Sequence, residues 1–251
     1  MTSLHDDPWI RRFHSAGDGA PRLVWLPHAG GSASSCFPLS QALSPGLEVL
    51  AVQYPGRQDR FAEPCVDDVQ ALADEIFRRL RDRADRTLAL FGHSMGATVA
   101  YEVALRLEGA GLSVTHLFVS AARGPACERR ERVHLMDDDG LVAEMRRLGG
   151  TDEALLADPD LMSMVLGTVR SDYRAIETYR HSGGVLRCPV TALVGDADPG
   201  TPVDAARTWG DHTRGAFDLR VFTGGHFYVD DHVGGVAQVV STTLTPSRSP
   251  A

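Results

Sequence analysis

Lysine is absent from the 251-residue chain: all 25 of its basic residues are arginine. A GC-rich genome produces that bias, so it speaks of ancestry and not of mechanism. Positive charge is also outnumbered, since 33 acidic residues leave a net charge of −8. That balance excludes a nucleic-acid binder, which needs a basic face to attract phosphate. The four cysteines, Cys36, Cys65, Cys127 and Cys188, are widely spaced and form no CxxC pair. This spacing argues against a disulfide framework or a zinc site, and each reads as a small unpaired hydrophobe. No apolar run reaches the ~18 residues of a membrane helix. The beginning, MTSLHDDPWIRRF, is polar and charged and lacks the apolar stretch of a secretory signal. The expectation is therefore a cytoplasmic protein with neither nucleic-acid nor membrane partners. Repeats are missing, and low complexity is confined to the PSRSPA tail, so disorder is expected over 245–251.

What is present fits one domain, 1–251, of ordinary globular composition, with 43% hydrophobic and 23% charged residues. Short β-rich runs alternate with helical patterns, as in a parallel sheet with crossover helices. The strand candidates are Arg22–Pro27, Leu47–Tyr54, Thr87–Phe91, Val114–Ser120, Val190–Gly195 and Asp218–Phe222. Val66, Val69, Leu72, Ile76, Phe77 and Leu80 recur at helical spacing and predict a helix packed on the sheet. The rhythm breaks over residues 123–184, where only helical patterns occur. Helices inserted at the carboxyl edge of such a sheet overlie the place where these folds bind ligands, so the segment reads as a lid. Met145, Leu148, Met162, Val165 and Leu166 are its candidate lining residues.

Gly92-His93-Ser94-Met95-Gly96 lies between an apolar strand, TLALF, and a helix beginning at Met95. Strand–GxSxG–helix is the nucleophile elbow of an α/β-hydrolase fold, whose sharp turn lifts a serine hydroxyl above the sheet. Glycines on either side relieve the crowding, and the helix N-terminus adds free N–H groups and a positive dipole end. Ser94 is the candidate nucleophile.

Serine needs a base, and histidine suits that role near neutral pH. In these hydrolases the order is Ser, then acid, then His. His226, in TGGHFYVDD after the last expected strand, occupies the position from which a loop reaches the serine. His116 falls inside a strand and reads as a core residue, while His134, His181, His212 and His232 read as surface positions. The acid candidates are Asp196 and Asp198 in VGDADPGTP, after the preceding strand. Asp198 precedes a proline, which favours an extended conformation, whereas Asp196 could cap the turn with its own side chain. The loop after Val114–Ser120 reads Ala-Ala-Arg-Gly-Pro and contains no carboxylate.

A tetrahedral intermediate requires two donors aimed at its oxyanion. The Met95 N–H is one candidate. The other comes from the loop LPHAGGSA, with Ala29 nominated and Gly30 as the alternative. His28 reads as a structural residue of that loop.

Pro27-His28-Ala29-Gly30-Gly31-Ser32, Tyr54-Pro55-Gly56-Arg57-Gln58, Gly92–Gly96 and Gly224-Gly225-His226-Phe227 together resemble the type II thioesterases of polyketide and non-ribosomal peptide synthesis. Leu148-Gly149-Gly150-Thr151, Asp172-Tyr173 and Glu177-Thr178-Tyr179 are similar as well, and the likeness runs from about Trp9 to Leu244. The resemblance implies a discrete hydrolase that clears stalled or aberrant acyl groups from the phosphopantetheine arm of acyl and peptidyl carrier proteins. It implies Asp198 as the acid, no cofactor and no metal. A monomer is expected.

The triad by itself does not separate this activity from an esterase or lipase acting on oxygen esters, or from a medium-chain fatty-acid chain-terminating thioesterase. Carrier proteins are acidic, so an acidic enzyme needs a local basic patch to dock them. Arg129, Arg130 and Arg132 are candidates for that patch.

Overall fold

A computed structural model describes residues 7–83, 87–151, 156 and 158–245. From residue 246 onward the tail expected to be disordered lies outside the described residues. In chain order the elements are β1 (Ile10–Arg11), β2 (Arg22–Leu26), α1 (Phe37–Leu43), β3 (Glu48–Val52), α2 (Val69–Leu80), β4 (Leu88–His93), α3 (Met95–Gly109) and β5 (His116–Ser120). They continue with α4 (Asp138–Leu148), α5 (Pro159–Thr178), β6 (Val190–Gly195), α6 (Val203–Arg207), β7 (Phe217–Phe222), α7 (Tyr228–Asp231) and α8 (Val233–Leu244).

The strands form one seven-stranded sheet in the order β1-β3-β2-β4-β5-β6-β7, parallel except for β1, which runs against β3. The α/β-hydrolase architecture expected from the sequence is therefore present. Its six longer strands lie within a few residues of their expected bounds. The two-residue β1 was not among the expected strands, because an element that short has no readable period. β2 through β6 are buried along their whole length, which is why they read as continuous apolar runs. β7, at the edge, alternates between exposed and half-buried positions.

Alternation along the strands sends side chains into two cores. Val24 and Leu26 join Leu72, Ile76 and the α3 residues Val99 and Val103 on one side. Leu23 and Trp25 join Leu39, Leu43, Val236 and Val240 from α1 and α8 on the other. Trp25, Phe91 and Phe118 stand opposite one another on β2, β4 and β5. Their rings stack at 4.7 and 6.0 Å, a cross-strand ladder that fixes register. The α2 N-terminus is closed by Asp68, which accepts the Ala71 N–H at 2.7 Å. Between β5 and β6, α4 and α5 share a small core of their own that contains Leu141, Met162, Leu166 and Val169.

After β2 the chain turns to one side for β3 and then crosses to the other side of β2 for β4. The reversal opens a crevice at the carboxyl ends of β2 and β4, where the loop after Leu26 meets Ser94. Gly96 lets them approach, since a Cβ there would stand 2.1 Å from the Leu26 carbonyl oxygen and 2.6 Å from that of Pro27. Both obstacles are backbone and cannot swing aside. Gly96→Ala is expected to lower the unfolding free energy by about 3 kcal/mol, the upper end for an overpacked site. Urea denaturation measures it, and a loss under about 0.5 kcal/mol would show that the crevice is looser than described.

Candidate active site

Ser94 sits between β4 and α3 with φ 54° and ψ −118°, a left-handed conformation that costs a non-glycine residue energy. Neighbouring backbone holds it there: its N–H donates to the Ser120 carbonyl at 2.8 Å. Gly92 permits the turn, because a Cβ on it would lie 2.2 Å from the Gly96 carbonyl oxygen.

His226 and Asp198 arrive from the loops after β7 and β6, and both are buried. His226 Nε2 is 2.9 Å from Ser94 Oγ. Its Nδ1 lies 2.9 and 3.0 Å from the two Asp198 oxygens. A carboxylate only accepts, so Nδ1 carries the proton and Nε2 is left as the acceptor for the serine hydroxyl. Asp198 Oδ1 is itself fixed by the N–H groups of Gly200 at 2.7 Å and Thr201 at 3.1 Å. Asp196 does what a turn residue does: its Oδ1 accepts the Gly224 N–H at 2.9 Å and ties the β6 loop to the β7 loop. Of the two aspartates, only Asp198 meets the histidine. The arrangement can deprotonate a hydroxyl and steady the resulting imidazolium.

Ala29, Ser94, Met95 and His226 line a single cavity of about 140 Å³. Met95 is the first residue of α3, so its N–H has no partner within the helix. Gly30 does not share that freedom, because its N–H donates to Asp172 Oδ2 at 2.7 Å. The Ala29 N–H meets no acceptor among the described residues. Geometry thus favours Ala29 over Gly30 as a second donor.

Asp172, on α5, is completely buried and also receives Arg57 through Nη1 at 2.7 Å and Nη2 at 2.9 Å. Arg57 Nη1 donates as well to the Gly31 carbonyl at 2.8 Å. One carboxylate therefore joins α5, the Tyr54–Gln58 segment and the loop that carries Ala29. The role of this pair escaped the sequence reading. A signal was there: Val165, Val169, Asp172 and Ile176 follow helical spacing, and a carboxylate on an apolar stripe marks a buried partner.

His28 and His93 pack against Phe227 at 4.8 and 5.4 Å, and His93 also lies 5.5 Å from His226. Burial, with help from His226 and Arg57, pushes the His28 pKa down to about 3, so the ring is neutral in its structural place under Gly31. Burial first, then His226 and His28, holds His93 well below the usual histidine range. His93 Nδ1 pairs with Ser120 Oγ at 2.9 Å, and that hydroxyl pairs with the Tyr228 OH at 2.7 Å. His116 lies buried in β5 against Thr191, as a core histidine should. His212 corrects a reading: expected on the surface, it is buried among the rings of Tyr101, Trp209 and His181, an aromatic cluster that sequence spacing does not reveal.

A second cavity, about 250 Å³, shares Ala29, Leu148 and Tyr173 with the first. Met145 and Val165 line it, whereas Met162 and Leu166 pack inside the α4–α5 core. Three of the five expected lining residues therefore face a cavity next to Ser94. No group of His, Cys, Asp and Glu among the described residues has the arrangement of a metal site. None of the described helices is long and apolar enough to cross a membrane.

Removing one member of a buried ion pair leaves the other charged and unpaired, at a cost of about 3–5 kcal/mol. Asp172→Ala is expected to lose that much in urea unfolding. A loss below about 1 kcal/mol would show that Arg57 finds solvent or another partner.

The thioesterase domain family matches residues 21–244. Thioesterase PikA5 of Streptomyces venezuelae is 48% identical over 243 residues, spanning 96% of this chain and 86% of that protein. Among solved structures, the type II thioesterase BorB from the borrelidin biosynthetic cluster is similar with a TM-score of 0.90 at 49% identity, over 96% of this chain and 99% of its own. YbtT, the type II thioesterase of the yersiniabactin pathway, is similar with a TM-score of 0.86 at 26% identity, over 94% and 98% of the two chains.

Proposed function

The chain belongs to the thioesterase domain family, and from that premise we propose that it is a discrete type II thioesterase that hydrolyses acyl groups from the phosphopantetheine arm of acyl and peptidyl carrier proteins. Its task is the clearing of stalled or aberrant units from a polyketide or non-ribosomal peptide synthase. The proposal includes a cytoplasmic, monomeric enzyme. The observation that carries it is the likeness over nearly the whole chain to type II thioesterases, and the unbroken hydrogen-bond chain from Ser94 Oγ through His226 to Asp198 supports the hydrolytic chemistry.

In this reading Ser94 Oγ attacks the thioester carbonyl while His226 Nε2 takes its proton, and Asp198 holds the imidazolium through Nδ1–H. The carbonyl oxygen becomes an oxyanion between the N–H groups of Met95 and Ala29. Collapse of the intermediate expels the pantetheine thiolate, which recovers the proton from His226. Water, deprotonated by the same imidazole, then attacks the acyl-serine and releases the acid. The strained backbone of Ser94 keeps Oγ in place before substrate arrives.

Residues 123–184 act as a lid in the same proposal. Leu148 and Tyr173, from α4 and α5, stand on the wall between the two cavities, where an acyl chain and a thin arm would meet.

The test compares hydrolysis of an acyl carrier thioester with that of a matched simple oxygen ester, in wild type and Ser94→Ala. The expected outcome is preference for the carrier thioester and a fall of at least about 10³-fold in kcat for Ser94→Ala. Preference for the oxygen ester, or a serine that proves dispensable, would overturn the reading.

A further inference from the structure

The run Arg129, Arg130 and Arg132 is not the surface patch expected from the sequence. Arg130 and Arg132 are exposed, but Arg129 lines the cavity that contains Ser94, Met95 and His226. Its Nε is sealed in without a hydrogen-bond partner, and its Nη2 makes only a long contact, 3.4 Å, to the Thr98 hydroxyl. Nη1 meets no acceptor among the described residues. A guanidinium is a rigid fork of donors, so one left short of acceptors beside an open cavity calls for an oxygen from outside the chain. The Thr98 contact says where that oxygen would sit. Thr98 lies one turn along α3 from Ser94, about 5 Å up the helix axis.

Charge does not choose the oxygen, because the lining is balanced: Arg123, Arg129 and Arg147 stand against Glu131, Glu144 and Glu177. Glu144 takes Arg147 at 2.6 Å, and Glu131 takes Arg123 at 2.5 Å. Glu177 accepts the N–H groups of Val133 at 2.8 Å and His134 at 3.1 Å. A wall that sums to zero yet offers hydrogen bonds suits a ligand segment that is polar and uncharged. The adjoining cavity of about 250 Å³ differs in kind, since Met145, Val165, Val169 and Phe227 line it. An apolar acyl chain is better placed there, which leaves the polar cavity to the thiol side of the thioester.

We infer that Arg129 is a binding residue for the phosphopantetheine arm: its free Nη1 donates to the carbonyl oxygen of the amide nearest the thioester sulfur. The inference deepens the thioesterase reading and rests on it, because it takes the scissile carbonyl to sit at Ser94. That amide stands a few bonds from the sulfur, within reach of a guanidinium one helical turn from Ser94. It belongs to every acylated arm whatever the acyl group. The contact therefore holds the leaving thiol and leaves the choice of acyl unit to the other cavity.

The test uses the full chain and one carrier protein carrying a propionyl group on either of two arms. One is the natural arm; in the other, methylene groups replace the amide nearest the sulfur. Wild type is expected to favour the natural arm by about 10- to 100-fold in kcat/KM, the worth of one hydrogen bond from a charged donor, after division by the two uncatalysed hydrolysis rates. That reading needs no variant. Arg129→Met is expected to lose the preference by slowing the natural arm alone, and Arg129→Lys, which keeps a charged donor, to recover part of it. If wild type hydrolyses both arms within twofold of each other, or Arg129→Met slows both alike, the Arg129 assignment fails and the thioesterase reading stands. A wild type inactive on both would overturn the two together.

Discussion

The Asp172 carboxylate is the constraint on which the site depends. It lies with no exposed surface at the meeting point of three segments, holding the Arg57 guanidinium in two hydrogen bonds and the Gly30 N–H in a third. Desolvating two charges is repaid only when geometry is good and the remaining donors are satisfied, and here both hold. The consequence is positional. With Gly30 and Gly31 tied to Asp172 and Arg57, the loop after β2 is fastened to α5, and the N–H of the cavity-lining Ala29 is left without an acceptor among the described residues. Thr168, one turn earlier on α5, adds a 2.7 Å hydrogen bond to the Gly56 carbonyl. The helix that covers the site and the loop that borders it therefore form one connected unit, fastened through buried charge.

On the far side of the serine, fixation comes from neutral groups. Tyr228, Ser120 and His93 form a relay behind the elbow, and Phe227 wedges between the His28 and His93 rings. Keeping His28 and His93 uncharged matters because each lies close to His226, and a second imidazolium there would oppose the charge that His226 must take up. The cavity thus has a rigid, largely uncharged back and a charged front formed by residues 121–147 and α5.

Most of the scaffold was legible in the sequence because it follows from local rules. The β2 through β6 runs announce a sheet covered on both faces, and the Gly92–Gly96 turn between strand and helix announces a serine at a topological reversal. Ser94, Asp198 and His226 could be nominated because each follows a strand end in a fixed order. What stayed hidden depends on packing between distant segments: the Arg57–Asp172 pair spans 115 positions, and no spacing rule links its members. Arg129 lines the Ser94 cavity while Arg130 and Arg132 are exposed, a difference that an arginine run does not reveal. The hydrogen bond that sets the Gly30 N–H apart from that of Ala29 likewise depends on the position of Asp172.

The proposed chemistry turns on acylation of Ser94 through His226. Its most direct test is rapid mixing of the enzyme with an acyl carrier protein, acid quench and peptide mass analysis. An acyl mass is expected on the peptide containing Ser94 within the first turnover, and its loss is expected in His226→Ala. Turnover with no acyl-enzyme on that peptide, or with the acyl group on another residue, would contradict it.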